Sequence, residues 1–148
     1  MALCRAFSKV DEDGHITLPN NVLGLLKVKT GEDLIIHALR IKCTTRYPHA
    51  VLFKPVNHPK LSALELVMGN AFVGVDDRGQ VILPSNILEE MKLKKDYRVE
   101  MKVQGPHNGH WLMLYNRGPW TETTLRQRMG VNRGKSDIAK RKTMTWDY

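Results

Sequence analysis

Two groups of polar side chains in this chain have the types and positions to hold phosphate oxygens. Lys9, His15, Arg78 and Gln80 flank two short acidic turns. Lys and Arg would neutralise phosphate charge, while His and Gln would hydrogen-bond phosphates or base edges. Asn20, Asn21, Ser85 and Asn86 stand at the expected starts of two short helices. Unbonded backbone N–H groups gather there and favour an anion. The same residues have plainer uses, since Asn and Ser cap helices and turn charges are ordinarily solvated. The acids Asp11, Glu12, Asp13, Asp76 and Asp77 crowd these turns, and their charge opposes a polyanion.

The rest of the sequence offers no catalytic constellation. It has no Ser/His/Asp or Cys/His arrangement at a Gly-rich elbow and no Walker-type phosphate loop. Paired carboxylates fall in turns, where their role is local hydrogen bonding. His107 and His110 are three apart across a Gly-containing loop, with no Cys or carboxylate beside them, which reads as a surface turn and not a metal site. Cys4 and Cys43 are lone thiols that suit a reducing cytosol and act as small hydrophobes. The expectation is a non-enzyme with no cofactor and no metal.

The elements that must position the polar groups are written twice. Val10-Asp-Glu-Asp-Gly-His-Ile-Thr-Leu-Pro19 matches Val75-Asp-Asp-Arg-Gly-Gln-Val-Ile-Leu-Pro84 without a gap. The match continues through Asn21/Asn86, Leu23/Leu88, Lys27/Lys92 and Lys29/Lys94. Such a match is an internal duplication, and two copies are too few for a solenoid. In each copy a strand runs into an acidic Gly turn, because Gly supplies positive φ and Asp caps its own backbone. A second strand ends at Leu-Pro, and Pro suits the first turn of the short helix that follows. Leu34, Ile36 and Ala38 alternate as a third strand, with a fourth over Ala50–Phe53. In the second copy Val99, Met101 and Val103 alternate with Arg98, Glu100 and Lys102, the pattern of a half-buried strand, and Trp111–Tyr115 closes the unit. The expected division is a first repeat over 1–55, a connector over 56–70, a second repeat over 71–115 and a basic extension over 116–148. Within the connector, Leu61–Met68 is expected to add a short helix.

Each β-β-α-β-β copy buries too little apolar surface to offset chain entropy alone. Packing the copies together with shared strands would solve this and leave few open edges. At 148 residues, 42% apolar and 26% charged, the chain is expected to form one globular domain. No apolar run approaches the roughly 20 residues of a membrane span. The start has no basic segment followed by an apolar one, so no signal peptide and no membrane partner are expected. The net charge of +8 is unevenly placed. Residues 1–40 hold five bases and five acids, and residues 72–115 hold six of each. Residues 41–71 carry four bases against Glu65, and 116–148 carry eight against Glu122, Asp137 and Asp147. In that extension, where Thr121–Met129 could be helical, Arg126, Arg128, Arg133, Lys135, Lys140, Arg141 and Lys142 could neutralise several phosphates. A solvated tail or a partner-docking segment is the plainer reading.

The repeated Val-Asp-x-x-Gly-x-Ile/Val-x-Leu-Pro string, followed by a short helix and Lys-x-Gly or Lys-Lys-Asp, resembles the AbrB/SpoVT/MazE swapped-hairpin family. The resemblance covers residues from about 4 to 55 and 69 to 115, and the two copies in one chain are similar to the organisation of MraZ regulators. It implies a mainly β (α+β) fold in which two β-β-α-β-β repeats form a pseudo-two-fold swapped-hairpin (double-psi-like) β-barrel. It also implies that paired hairpins and helix starts face DNA. The position after the turn Gly, commonly Arg in the family, is His15 or Gln80 here. The leading expectation is therefore a cytoplasmic, nucleoid-associated transcriptional regulator that binds double-stranded DNA through Lys9, His15, Asn20, Asn21, Arg78, Gln80, Ser85 and Asn86, with homo-oligomers of barrels possible. The alternative is a non-catalytic assembly module that docks on a protein or ribonucleoprotein through the basic tail with Trp120, Trp146 and Tyr148.

Overall fold

Alternation of small or apolar with polar residues from Cys4 to Lys9 forms a strand, β1, whose Ala6 and Ser8 turn inward while Arg5, Phe7 and Lys9 face solvent. The computed structural model that shows this describes residues 4–42 and 48–119. The acidic turn leads to β2 (His15–Thr17) and α1 (Asn20–Leu26), then to β3 (Asp33–Ile41) and β4 (His49–Phe53). The second half follows the same order: β5 (Glu65–Gly74), β6 (Gln80–Ile82), α2 (Ser85–Met91), β7 (Tyr97–Gln104) and β8 (Trp111–Pro119). The fold is mainly β, with eight strands and two helices among the described residues.

Six strands make one antiparallel sheet in the order β1-β7-β8-β4-β3-β5, and β2 pairs with β6 in a separate two-stranded ribbon. β1 therefore pairs with β7 of the second half, and β5 with β3 of the first. The sheet ends at β1 and β5 and is not closed into a barrel, contrary to the expectation from sequence. β5, an edge strand, exposes Leu66, Val67, Met68 and Phe72.

Corresponding positions in the two matched stretches make corresponding bonds. The Gly31 N–H donates to the Val75 carbonyl at 3.1 Å, and the Asp96 N–H to the Val10 carbonyl at 2.8 Å. Both helices end on a lysine in the left-handed conformation, Lys27 (φ 56) and Lys92 (φ 57). Their amphipathic faces supply Val22 and Leu26, and Ile87 and Met91, to one core. Ile16, Val22, Ile36 and Leu52 are wholly buried there with Val81, Ile87, Met101 and Leu114. Removing such apolar surface from water contributes roughly 1.5–3 kcal/mol per large side chain.

Three local expectations need correction. The stretch over 61–68 is no helix: β5 begins at Glu65 and pairs with β3 as far as Gly74. Pairing with β3 along Glu65–Gly74 satisfies more backbone groups than an isolated helix of about two turns would. The closing strand does not stop at Tyr115 but runs on to Pro119, so residues 116–119 belong to the sheet. Arg98 and Glu100, expected on a solvated strand face, are buried at 3% and 2% exposure.

Candidate nucleic-acid interface

Each acidic turn is built around one aspartate. The Asp11 carbonyl accepts the Gly14 N–H at 3.2 Å, and its Oδ1 accepts the N–H groups of Asp13 (2.9 Å) and His15 (2.8 Å). Asp76 repeats this with Gly79 (3.1 Å), Arg78 (2.8 Å) and Gln80 (2.9 Å). Gly14 (φ +80) and Gly79 (φ +77) adopt the left-handed region that closes both turns. Both carboxyls are held below the usual aspartate value, first by the backbone N–H of His15 for Asp11 and of Gln80 for Asp76.

The turns are joined to each other. The Leu18 N–H donates to the Gly79 carbonyl at 2.8 Å, and the Leu83 N–H to the Gly14 carbonyl at 3.0 Å. A Cβ on Gly14 would lie 3.0 Å from Leu88 Cδ1, and one on Gly79 would lie 3.3 Å from Leu23 Cδ1, so each turn packs on the other half's helix. In the ribbon His15 pairs with Ile82 and Thr17 with Gln80, while Ile16 and Val81 pair on the buried side. The period of two thus puts His15, Thr17, Gln80 and Ile82 on one outward face.

The predicted residues divide by what already holds them. The His15 ring Nδ1 lies 2.9 Å from Asp11 Oδ2. Lys9 Nζ is 3.9 Å from Asp96 Oδ1, both exposed. Arg78 is exposed, Gln80 half-buried, and neither side chain has a hydrogen bond or ion pair among the described residues. Asn21 and Asn86 are turned to the sheet: Asn21 Nδ2 reaches Cys4 Sγ at 3.0 Å, and Asn86 Nδ2 donates to the Asn70 carbonyl at 3.3 Å. Neither helix takes a side-chain cap, because Pro19 and Pro84 occupy the cap positions. Asn20 and Ser85, next to those prolines, are exposed. Arg126, Arg128, Arg133, Lys135, Lys140, Arg141 and Lys142, with the helix expected over 121–129 and Trp120, Trp146 and Tyr148, lie outside the described residues. So does Cys43.

Asp11, Asp13 and His15 bring three possible metal-ligand atoms within 4.8 Å of one another. Asp11 already accepts two backbone N–H groups and contacts the His15 ring, the bonding of a self-capped turn.

A second polar cluster lies on the face of the six-stranded sheet away from the main core. Glu100 Oε2 accepts Arg5 Nε at 2.8 Å, and its Oε1 accepts Arg117 Nε at 2.8 Å. Burial alone would raise the Glu100 carboxyl, but the bonds from Arg5 and Arg117 outweigh it and hold the group below its usual value. Tyr115 lies beneath Lys102 and Arg117 and stacks on His49, whose Nε2 is 2.8 Å from Glu65 Oε2. Sequence reasoning missed this cluster because its partners, Arg5 and Glu100, meet only through strand register. The one available signal was an acid alternating with bases along β7.

Among the described residues no helix is long and apolar enough to cross a membrane. No family model matches the chain, and no curated protein matches it. Among solved structures, the chain is similar to the solution structure of PHS018 from Pyrococcus horikoshii, with a TM-score of 0.39 and 14% identity over 80% of this chain and 92% of that one.

Proposed function

We propose that this chain is a non-catalytic DNA-binding protein of AbrB/SpoVT type, a transcriptional regulator associated with the nucleoid. In this reading the two sequence repeats exchange their β1–β2 and β5–β6 hairpins across a pseudo-two-fold axis. The paired turns are the part that meets duplex DNA. One observation carries the reading: β2–β6 pairing sets His15 and Gln80 on one outward face, with Arg78 in the adjoining turn. Asn20 and Ser85 follow at the helix starts within a few residues. Arg78 and Lys9 would engage phosphates, and Gln80 and His15 would reach base edges. The basic residues from Arg126 to Lys142 would add sequence-independent affinity.

A second reading has a specific observation behind it. The β5 edge exposes Phe72 at 74%, Val67 at 46%, Leu66 at 40% and Met68 at 39%, and apolar edge strands pair readily with other chains. The molecule would then be an assembly module on a protein or ribonucleoprotein partner.

The double variant Lys9→Glu/Arg78→Glu separates the two. Fluorescence anisotropy with the full chain should show sequence-preferring duplex binding that the variant loses. No sequence preference in the wild type would sink the DNA reading and leave the assembly reading, whereas preference retained in the variant would take Lys9 and Arg78 out of the contact. The fold should survive, because both side chains are exposed.

A further inference from the structure

The outward face of β1, β7 and β8 carries far more positive than negative charge. Strand register sets Arg5 opposite Lys102 and Lys9 opposite Arg98, with Phe7 opposite Glu100 between them. Tyr115 of β8 pairs with Glu100 from the other side, and the Arg117 guanidinium lies 5.0 Å from the centre of the Tyr115 ring. Arg5, Lys9, Arg98, Lys102 and Arg117 thus share one face, and Glu100 is the one acid at the outward positions of these three strands.

That acid is already spent. Glu100 is buried, with Oε2 accepting Arg5 and Oε1 accepting Arg117. Lys102 Nζ rests 5.1 Å from the centre of the Tyr115 ring and makes no ion pair among the described residues. Lys9 reaches only the exposed Asp96, at 3.9 Å. Like charges directly opposed across strands cost stability, and two such pairs stand here on either side of Phe7. An anionic chain laid across the strands would relieve both.

Phe7 decides what kind of anionic chain fits. Its ring is 42% exposed on β1, at the end of the sheet, with the Arg98 guanidinium 5.6 Å from its centre. The Arg5 side chain is 63% exposed despite its bond to Glu100. Arg5 and Lys9 stand four residues apart on β1, about 13 Å, with Phe7 midway. An extended single nucleic-acid chain alternates phosphates with unstacked bases, so the two cations can meet phosphate while a base between them lies on Phe7. A duplex keeps its bases stacked inside and has none to lay on the ring. An acidic peptide brings charge without a regular series of planar rings.

We infer that this face binds single-stranded nucleic acid. A base stacks on Phe7, and Arg5, Lys9 and Lys102 neutralise the phosphates around it. Lys9 is shared with the proposed duplex contact of the turns. The rest of the surface is not, and it stands whether or not the turns bind DNA.

The test is fluorescence anisotropy of the full chain with a labelled oligothymidylate of about ten nucleotides, across a salt series. Phe7→Ala should weaken binding about tenfold, the loss of one stacked base. Lys102→Gln should lower the slope of log affinity against log salt by about 0.7, the loss of one phosphate contact on a single strand. Neither change removes a hydrogen bond or ion pair among the described residues, so both variants should fold. Wild-type affinity in folded Phe7→Ala, or displacement of the oligothymidylate by polyglutamate as readily as by unlabelled oligothymidylate, would overturn the inference. Duplex DNA separates this face from the turns: its affinity should be the same in Phe7→Ala and wild type. An equal loss for duplex and single strand would overturn the single-strand assignment.

Discussion

At the first turn the His15 ring closes on Asp11, and Lys95 reaches Glu12 at 3.0 Å. At the second, Arg78 and Gln80 leave their side chains outside any bond among the described residues, although the backbone bonds of the two turns agree within 0.1 Å. The backbone is fixed by Asp, Gly and the cross-turn bonds, whereas the variable positions set the charge. Shared geometry is therefore a statement about folding, and the unshared side chains carry whatever recognition there is. On that ground the proposed DNA reading makes the second turn the principal contact and the first chiefly its scaffold.

The strongest way to break the equivalence is to add a methyl group at each glycine. A Cβ on Gly79 would meet the Leu18 carbonyl at 3.0 Å, a backbone atom that cannot swing away. A Cβ on Gly14 would meet Leu88 Cδ1 at 3.0 Å, the end of a flexible side chain. The left-handed conformation costs an alanine about 1–2 kcal/mol at both sites. Gly79→Ala should therefore destabilise by about 2–4 kcal/mol and Gly14→Ala by about 1–2, read from urea denaturation. Equal losses would show that the two turns relax alike.

Acid titration tests what they share. Asp11 and Asp76 are held below the usual value of 3.8 in the folded chain. Their contribution is full above that value and is lost as pH falls through the lower folded value. The urea midpoint of the wild type should begin to fall below about pH 5, where Glu100 contributes as well as the two aspartates. Asp76→Asn should start lower and fall less steeply, and Asp11→Asn should do the same. A variant curve parallel to that of the wild type would show that the carboxylate charge is idle.

The smallest effect sharpens the charge difference. Glu12→Gln breaks an exposed pair worth roughly 0–1 kcal/mol and releases Lys95 beside the first turn. Stability should barely move, while DNA affinity at low salt should rise a few-fold and its dependence on salt should steepen. Unchanged affinity in the salt series would place the first turn outside the DNA contact.

The turns, both helices and most strands were legible because they depend on local signals: Gly after Asp, Pro after Leu, and apolar periods of two or near four. The stretch over 61–68 misled because Leu61, Leu64, Glu65 and Met68 recur at helical spacing. Pairing with β3 is a long-range fact that overrides that period, and it leaves Val67 and Phe72 exposed at a sheet edge where alternation is weak evidence. Arg98 and Glu100 read as solvated for the same reason. Nothing within β7 announces that Arg5 and Arg117 will satisfy Glu100 from neighbouring strands. Of the proposed site, the pairing of the hairpins that carry His15 and Gln80 was an expectation from the family resemblance, but the commitment of Asn21 and Asn86 to the edge strands was not foreseen. Their amides depend on how each helix lies against β1 or β5, which a sequence match does not encode.

The most direct measurement is NMR mapping of the full chain, in which amide and side-chain signals are followed as duplex DNA is added at physiological salt. If the turns meet DNA, the largest shifts fall at Arg78, Gln80 and Ser85, smaller ones at His15 and Asn20, and none at the Glu100 cluster. Shifts confined to residues 120–148, with the two turns unmoved, would contradict that reading.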